Sequence, residues 1–173
     1  MQLQEAITLI ANDFITDVDK QIWADLGCGT GTFTTALASL LPNNSLIYAV
    51  DKSNFHLNKI PTQFENVRIE KIRADFTKKK LPYNLDGILM ANSLHYVKEK
   101  DLFVGKVQTH LKKDGCFIIV EYDKEISNPR IPFPVSYNSL KKLFEKEGYR
   151  PEKLKEKSSI YRKENIYSAI IKR

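Results

Sequence analysis

The sequence predicts an α/β domain built on a single doubly wound, mainly parallel seven-stranded sheet. An antiparallel hairpin closes its C-terminal edge, and helices cover both faces. Three observations predict it. Short β-branched or apolar runs alternate with longer stretches of helical spacing, the pattern of β-α-β units with right-handed crossovers. The runs are apolar along their length rather than alternating, as in a parallel sheet covered on both sides. From Pro151 onward the alternation gives way to two extended runs joined by a short link.

The elements follow in order. Leu3, Ile7 and Ile10 give one amphipathic helix ahead of the first strand. Residues 1–18 are expected to form a lid helix and linker, residues 20–173 the core, and 1–173 together one domain. Ile22–Leu26 is the first strand. Phe33, Ala36, Leu37, Leu40 and Leu41 share one face of a helix, which Pro42-Asn43-Asn44 ends. Leu46–Val50 is the second strand; a helix starting at Ser53 follows and is cut short by Pro61. Val67–Arg73 and Gly87–Ala91 are the third and fourth strands. Leu102, Phe103, Val107 and Leu111 make a weaker helical stripe, with Asp114-Gly115 as its stop. Cys116–Glu121 is the fifth strand. Pro129, Pro132 and Pro134 stiffen the loop beyond it, and a helix over Ser139–Glu147 stops at Gly148. Pro151–Ser158 and Ile166–Ile171, joined by Ile160–Asn165, form the hairpin.

Composition narrows the class. At 173 residues the chain can bury one substantial core, and its 42% apolar and 28% charged residues are ordinary for a globular protein. No apolar run approaches the roughly 18 residues of a membrane span. The first residues are acidic rather than basic and show no cleavage signature, so a cytoplasmic location is expected. Cys28 and Cys116 lie outside any CxxC pair and read as reduced, buried thiols, with no metal site. The formal charge is +6, carried by groups such as Lys78-Lys79-Lys80, Lys112-Lys113 and Lys141-Lys142. Interleaved glutamates and the lack of an aromatic stacking pattern favour a solvated surface over a nucleic-acid site. His56 and His110 fall on helices and read as surface residues.

The strongest local signal is Trp23-Ala24-Asp25-Leu26-Gly27-Cys28-Gly29-Thr30-Gly31, at the end of the first strand and before a helix. Glycines at alternate positions let the backbone turn sharply and approach a ligand without Cβ clashes. Asp25 would repel a pyrophosphate but suits an amino group in the same ligand. The Gly27-x-Gly29-x-Gly31 spacing is not the dinucleotide fingerprint. Asp51, about twenty residues beyond the loop, ends the second strand, where its two oxygens suit the hydroxyls of a ribose. Capping the helix that starts at Ser53 is the lesser alternative.

At these residues the chain resembles the class I S-adenosylmethionine-dependent methyltransferases, which are Rossmann-like. Asp25 to Gly31 matches the family's first motif and Asp51 its second. Ala74-Asp75-Phe76 matches the third, Ala91-Asn92-Ser93 the fourth, and Leu111 to Gly115 a frequent turn before strand five. The resemblance implies S-adenosylmethionine as cofactor, held by Asp25, Gly27, Cys28, Gly29, Gly31, Asp51, Lys52, Asp75, Phe76, Ala91 and Asn92. It places Asp75 at the adenine amino group and Ala91-Asn92-Ser93 near the methionine part. Asp75 also reads as a turn or cap residue.

The acceptor end is less defined. A general base is needed only where the acceptor must lose a proton to react. His95 has the right chemistry for a base but also fits a packing role; Glu121 fits either a substrate contact or a structural ion pair. Tyr96, Tyr122, Tyr137, Tyr161 and Arg162 are candidates for lining the acceptor pocket. A second, narrower resemblance, to a bacterial methyltransferase subfamily, rests on Glu121-Tyr122-Asp123, Asn128 to Ser136, Ser159 to Arg162 and Ile166 to Ala169; it does not identify the acceptor. No Asn/Asp-Pro-Pro-aromatic motif is present, and neither cysteine is placed as a nucleophile. A small-molecule acceptor is therefore expected ahead of RNA or protein. A non-catalytic cofactor-binding module is a further alternative.

Overall fold

A computed structural model describes residues 1–15, 19–158 and 165–173. The chain runs through α1 (Leu3–Ile10), β1 (Ile22–Leu26), α2 (Thr32–Ala38), β2 (Leu46–Asp51), α3 (Asn54–Leu57), β3 (Gln63–Phe64) and β4 (Val67–Arg73). It continues through β5 (Leu85–Ala91), α4 (Lys100–Val107), β6 (Leu111–Tyr122), α5 (Tyr137–Glu145), β7 (Arg150–Ser158) and β8 (Asn165–Lys172). One sheet of order β3-β4-β2-β1-β5-β6-β8-β7 holds every strand. The pairs β1–β2, β1–β5, β2–β4 and β5–β6 are parallel, whereas β3–β4, β6–β8 and β7–β8 are antiparallel. The seven strands expected from the sequence are all present. The eighth, β3, has two residues and pairs only Gln63 with Arg68 and Phe64 with Val67, too short to leave a periodic trace.

The chain winds outward from β1 in both directions, so a crevice opens above the carboxyl ends of β1 and β5. Both faces are packed. On one, α1 and α2 cover Trp23, Ile47, Ile69 and Ile118. On the other, α4 and α5 cover Ile88, Phe117, Ile119 and Tyr167. Trp23 is fully buried and lies directly on Gly87, where an added Cβ would come within 2.3 Å of the indole.

Three local expectations change. Asp114-Gly115 does not end a helix: α4 stops at Val107, and both residues lie inside the twelve-residue β6. The register shifts between Leu85 and Gly87, and Gly115 sits 3.0 Å (measured from an added Cβ) from the Leu85 carbonyl. That glycine is required by a bulge where two backbones approach, not by a helix stop. Leu102 is 75% exposed, because α4 buries Phe103, Val104 and Val107 instead. His110 is buried, with Nδ1 3.2 Å from the Pro82 carbonyl and its ring stacked on Tyr83.

The proline loop is fastened at its end. The Ser136 side chain accepts the Ser139 amide at 3.1 Å, capping α5, and also donates to Glu125; the Tyr137 amide donates to Asp123 at 2.9 Å. Ser136→Ala should lower stability by about 1 kcal/mol, read as a reduced urea midpoint at unchanged slope. An unchanged midpoint would remove the cap from the account. Among the described residues, no helix is long and apolar enough to cross a membrane.

Candidate functional site

Above the carboxyl ends of β1, β2 and β5 lies a cavity of about 680 Å³, within the range of pockets that enclose whole small molecules. Its floor is the loop after β1. Gly27, Gly29 and Gly31 all have positive φ, at 77°, 53° and 86°. A Cβ on Gly27 would lie 2.6 Å from Ser93 Cβ, and one on Gly31 2.7 Å from Ile60 Cγ1. Gly29 has nothing within 4 Å and faces the open space. Two amides, of Gly27 and Cys28, donate to the Val50 carbonyl at 2.8 and 3.1 Å, tying the loop to the end of β2.

Asp51 locks the loop from the other side. Its Oδ2 accepts the Gly29 amide at 2.9 Å and its Oδ1 the Ser53 amide at 2.7 Å. The cap of α3 is Ser53, whose hydroxyl accepts the His56 amide, so Asp51 itself is not the cap. Each carboxylate oxygen keeps a second lone pair for a ligand hydroxyl. His56 lines the cavity with its Nδ1 3.8 Å from Asp51. It was legible only as a surface histidine, since nothing in a four-residue helix says which way its side chains point.

The wall beyond β4 is Asp75-Phe76. Asp75 Oδ1 accepts both the amide and the hydroxyl of Thr77, and that hydroxyl, aided by Lys78 and Lys52, holds its carboxyl below the ordinary range. The turn role expected as an alternative is therefore present, on a residue that also lines the cavity. The Phe76 ring packs edge-on against Phe103. Beyond β5, Asn92 adopts φ 54°, anchored by its amide on the Val120 carbonyl, and its Oδ1 is buried without a partner. Ser93, the last residue of the fourth motif, also lines the cavity; its hydroxyl donates to the Leu26 carbonyl at 2.6 Å and fixes this wall to β1.

Of the residues expected at the cofactor, Gly27, Cys28, Gly29, Asp51, Lys52, Asp75, Phe76, Ala91 and Asn92 line the cavity; Asp25 and Gly31 stand behind its wall. Burial, with Asp25 and Asp51 nearby, pushes the Cys28 thiol far above its ordinary range, so it is an inert wall residue. Asp25 is 1% exposed: Thr34 donates to its Oδ2 at 2.6 Å, and its Oδ1 has no partner. Burial, with the Asp51 charge adding and the Thr34 hydroxyl opposing, pushes its carboxyl up to about 7.

Of the acceptor-end candidates among the described residues, only Tyr96 lines the cavity, 57% exposed. His95 and Glu121 are brought together behind it. Glu121 Oε2 lies 2.7 Å from His95 Nδ1, its Oε1 accepts the His95 amide at 3.1 Å, and both residues are buried. The His95 carbonyl accepts the Phe133 amide, and half-buried Lys100 donates to the carbonyls of Val97 and Phe133. The pair thus fastens the turn Leu94–Tyr96 to β6 and the proline loop. Tyr122 packs on the core, and Tyr137 packs on Tyr167 and donates to the Pro151 carbonyl; neither lines the cavity. Tyr161 and Arg162 lie outside the described residues. Among the described residues, no group of three or more His, Cys, Asp or Glu is placed to hold a metal ion.

The chain is similar to known proteins in sequence and in fold. The (S)-coclaurine N-methyltransferase of Thalictrum flavum subsp. glaucum is 30% identical over 98 residues, covering 55% of this chain and 27% of the relative. The chain thus spans about a quarter of that relative's length. In fold, it is similar to the Burkholderia thailandensis 1,6-didemethyltoxoflavin-N1-methyltransferase, solved with its acceptor and S-adenosylhomocysteine. The TM-score is 0.77 at 13% identity, over 99% of this chain and 77% of that one. The magnesium protoporphyrin IX methyltransferase of Synechocystis PCC 6803, solved with bound S-adenosylmethionine, gives 0.70 at 14% identity, over 97% and 78%. Residues 19–171 match the family described as "Methyltransferase domain", and the chain belongs to that family.

Proposed function

We propose that the protein is an S-adenosylmethionine-dependent methyltransferase acting on a small-molecule acceptor. The observation that carries this reading is the cavity, with Gly29 open to it on the floor and the carboxylates of Asp51 and Asp75 on its walls. The residues present fit the cofactor: the glycine floor leaves room where any Cβ would intrude, and Asn92 Oδ1 is a buried acceptor still lacking a donor. When bound, the cofactor would supply a sulfonium as the methyl donor. Asp51 would accept the ribose hydroxyls, Asp75 and Phe76 would flank the adenine, and Ala91-Asn92 would border the methionine part. Asp25 and Gly31 support the loop from behind.

The protein's own contribution is alignment and exclusion of water. His95 and Glu121 are buried behind the wall, which suits positioning the Tyr96 turn better than proton abstraction from an acceptor. Met1 lines the cavity, which supports the start of the chain forming part of its lid, whereas α1 itself packs on α2 as part of the core. The core over 20–173 then forms one domain with it. Coclaurine and didemethyltoxoflavin, the compounds in the relatives' names, are small molecules, which supports the same acceptor class.

Calorimetric titration with S-adenosylmethionine, S-adenosylhomocysteine and NADH tests the reading. Micromolar binding of the first two alone is expected, followed by homocysteine-product release with a small-molecule acceptor. Preference for NADH, or methyl label appearing in RNA or protein fractions instead, would overturn it.

A further inference from the structure

We propose that the methyl acceptor is a flat apolar acid whose body and carboxylate lie in a groove that continues the cavity past Tyr96. This rests on the cofactor reading above and names the class of compound that the same site takes.

The cavity over the glycine loop is lined almost wholly by the segments assigned to the cofactor, with Tyr96 and Met1 at its edge. An acceptor needs further room. That room is a groove of about 350 Å³ between Thr77 on one side and residues 96–99 with α4 on the other. Thr77 and Tyr96 line both spaces, so the two are continuous. Beneath them Phe76 of the cavity meets Phe103 of the groove, with ring centroids 5.8 Å apart. The middle of the groove is apolar: Tyr96 is 57% exposed and Leu102 75%, over buried Val97 and Phe103. A flat apolar body laid there covers both exposed side chains at once. The rim is charged. Lys106 stands one turn beyond Leu102 on the same side of α4 and reaches the Thr77 carbonyl at 3.4 Å; Lys98 stands at the near end. Neither lysine forms an ion pair among the described residues, whereas Lys112, Lys146, Lys153 and Lys157 each do. Glu99 is the carboxylate lining the groove, and it is exposed. Two ammonium groups against one carboxylate leave the lining net positive, which a carboxylate on the acceptor complements.

The test fills the cofactor's cavity first and then probes the groove. Protein saturated with S-adenosylhomocysteine is titrated by calorimetry with naphthoate and biphenylcarboxylate, and with the neutral amide of each. At least one acid should bind about tenfold more tightly than its amide, and that advantage should shrink as salt is raised. Lys98→Gln combined with Lys106→Gln should abolish the advantage and leave the amide's affinity unchanged. The same change at Lys113 and Lys155, which lie outside the groove, should leave the advantage intact. Leu102→Ser should weaken acid and amide alike, by on the order of fivefold. All five side chains are exposed, so the variants should melt with the wild type. None of them lines the cofactor's cavity, so unchanged affinity for S-adenosylhomocysteine is the control. Amides that bind as tightly as the acids, an advantage that survives loss of both lysines, or no binding of any probe overturns the proposal while leaving the cofactor reading intact. If S-adenosylhomocysteine itself does not bind, the cofactor reading falls and this proposal falls with it.

Discussion

Asp51→Ala is expected to weaken S-adenosylmethionine binding by on the order of 100-fold. Charge-assisted hydrogen bonds are each worth about 1.5–3 kcal/mol, and about 1.4 kcal/mol is a factor of ten in affinity. Loss of the ribose contacts alone would account for a tenfold to hundredfold change. The upper end is expected because Asp51 also accepts the amides of Gly29 and Ser53, so its removal frees both the floor and the start of α3. Asp51→Asn distinguishes the two contributions. Its amide oxygen can retain one of the backbone bonds, while its NH₂ faces the other amide, so an intermediate loss is expected. Calorimetry on both variants gives the affinities, and thermal melts show whether the fold survives. Unchanged affinity in folded Asp51→Ala protein would remove Asp51 from the site.

Much of the site was legible because its chemistry is local to strand ends. The glycine loop, Asp51, Asp75-Phe76 and Ala91-Asn92 each lie at or just beyond the end of a strand, and a strand's end fixes where the next residues point. What escaped was set by contacts distant in sequence. The pairing of His95 with Glu121 joins the turn after β5 to the end of β6, and no spacing encodes it. His110 is buried because Pro82 and Tyr83 cover it, and Ser93 matters because it reaches the Leu26 carbonyl. Asp114-Gly115 looked like a helix stop because glycine serves both helix ends and bulges; the choice between them depends on the position of Leu85. Asp25 belonged to the legible motif, but its place behind the wall follows from the packing of α2 over β1.

That buried position has a cost for the fold itself, which Asp25→Asn should expose without any ligand. The folded carboxyl sits at about 7 against an ordinary 3.8, so the folded state holds a proton that the unfolded chain has lost between those values. Stability from this group is fully present below about pH 4 and is lost as pH rises through about 7. The upper estimate of that loss is about 4 kcal/mol, at about 1.4 kcal/mol for each tenfold change in proton affinity. Asparagine mimics the protonated shape, accepts from Thr34 and does not titrate. Wild type and Asp25→Asn should therefore melt together near pH 4 and separate towards pH 8, with the variant higher by up to about 16 °C, given about 2–4 °C per kcal/mol for a chain of this length. Parallel curves across that range would mean that Asp25 is ionised in the folded protein at all these pH values. A buried water or a small shift of α2 would then have to satisfy its Oδ1.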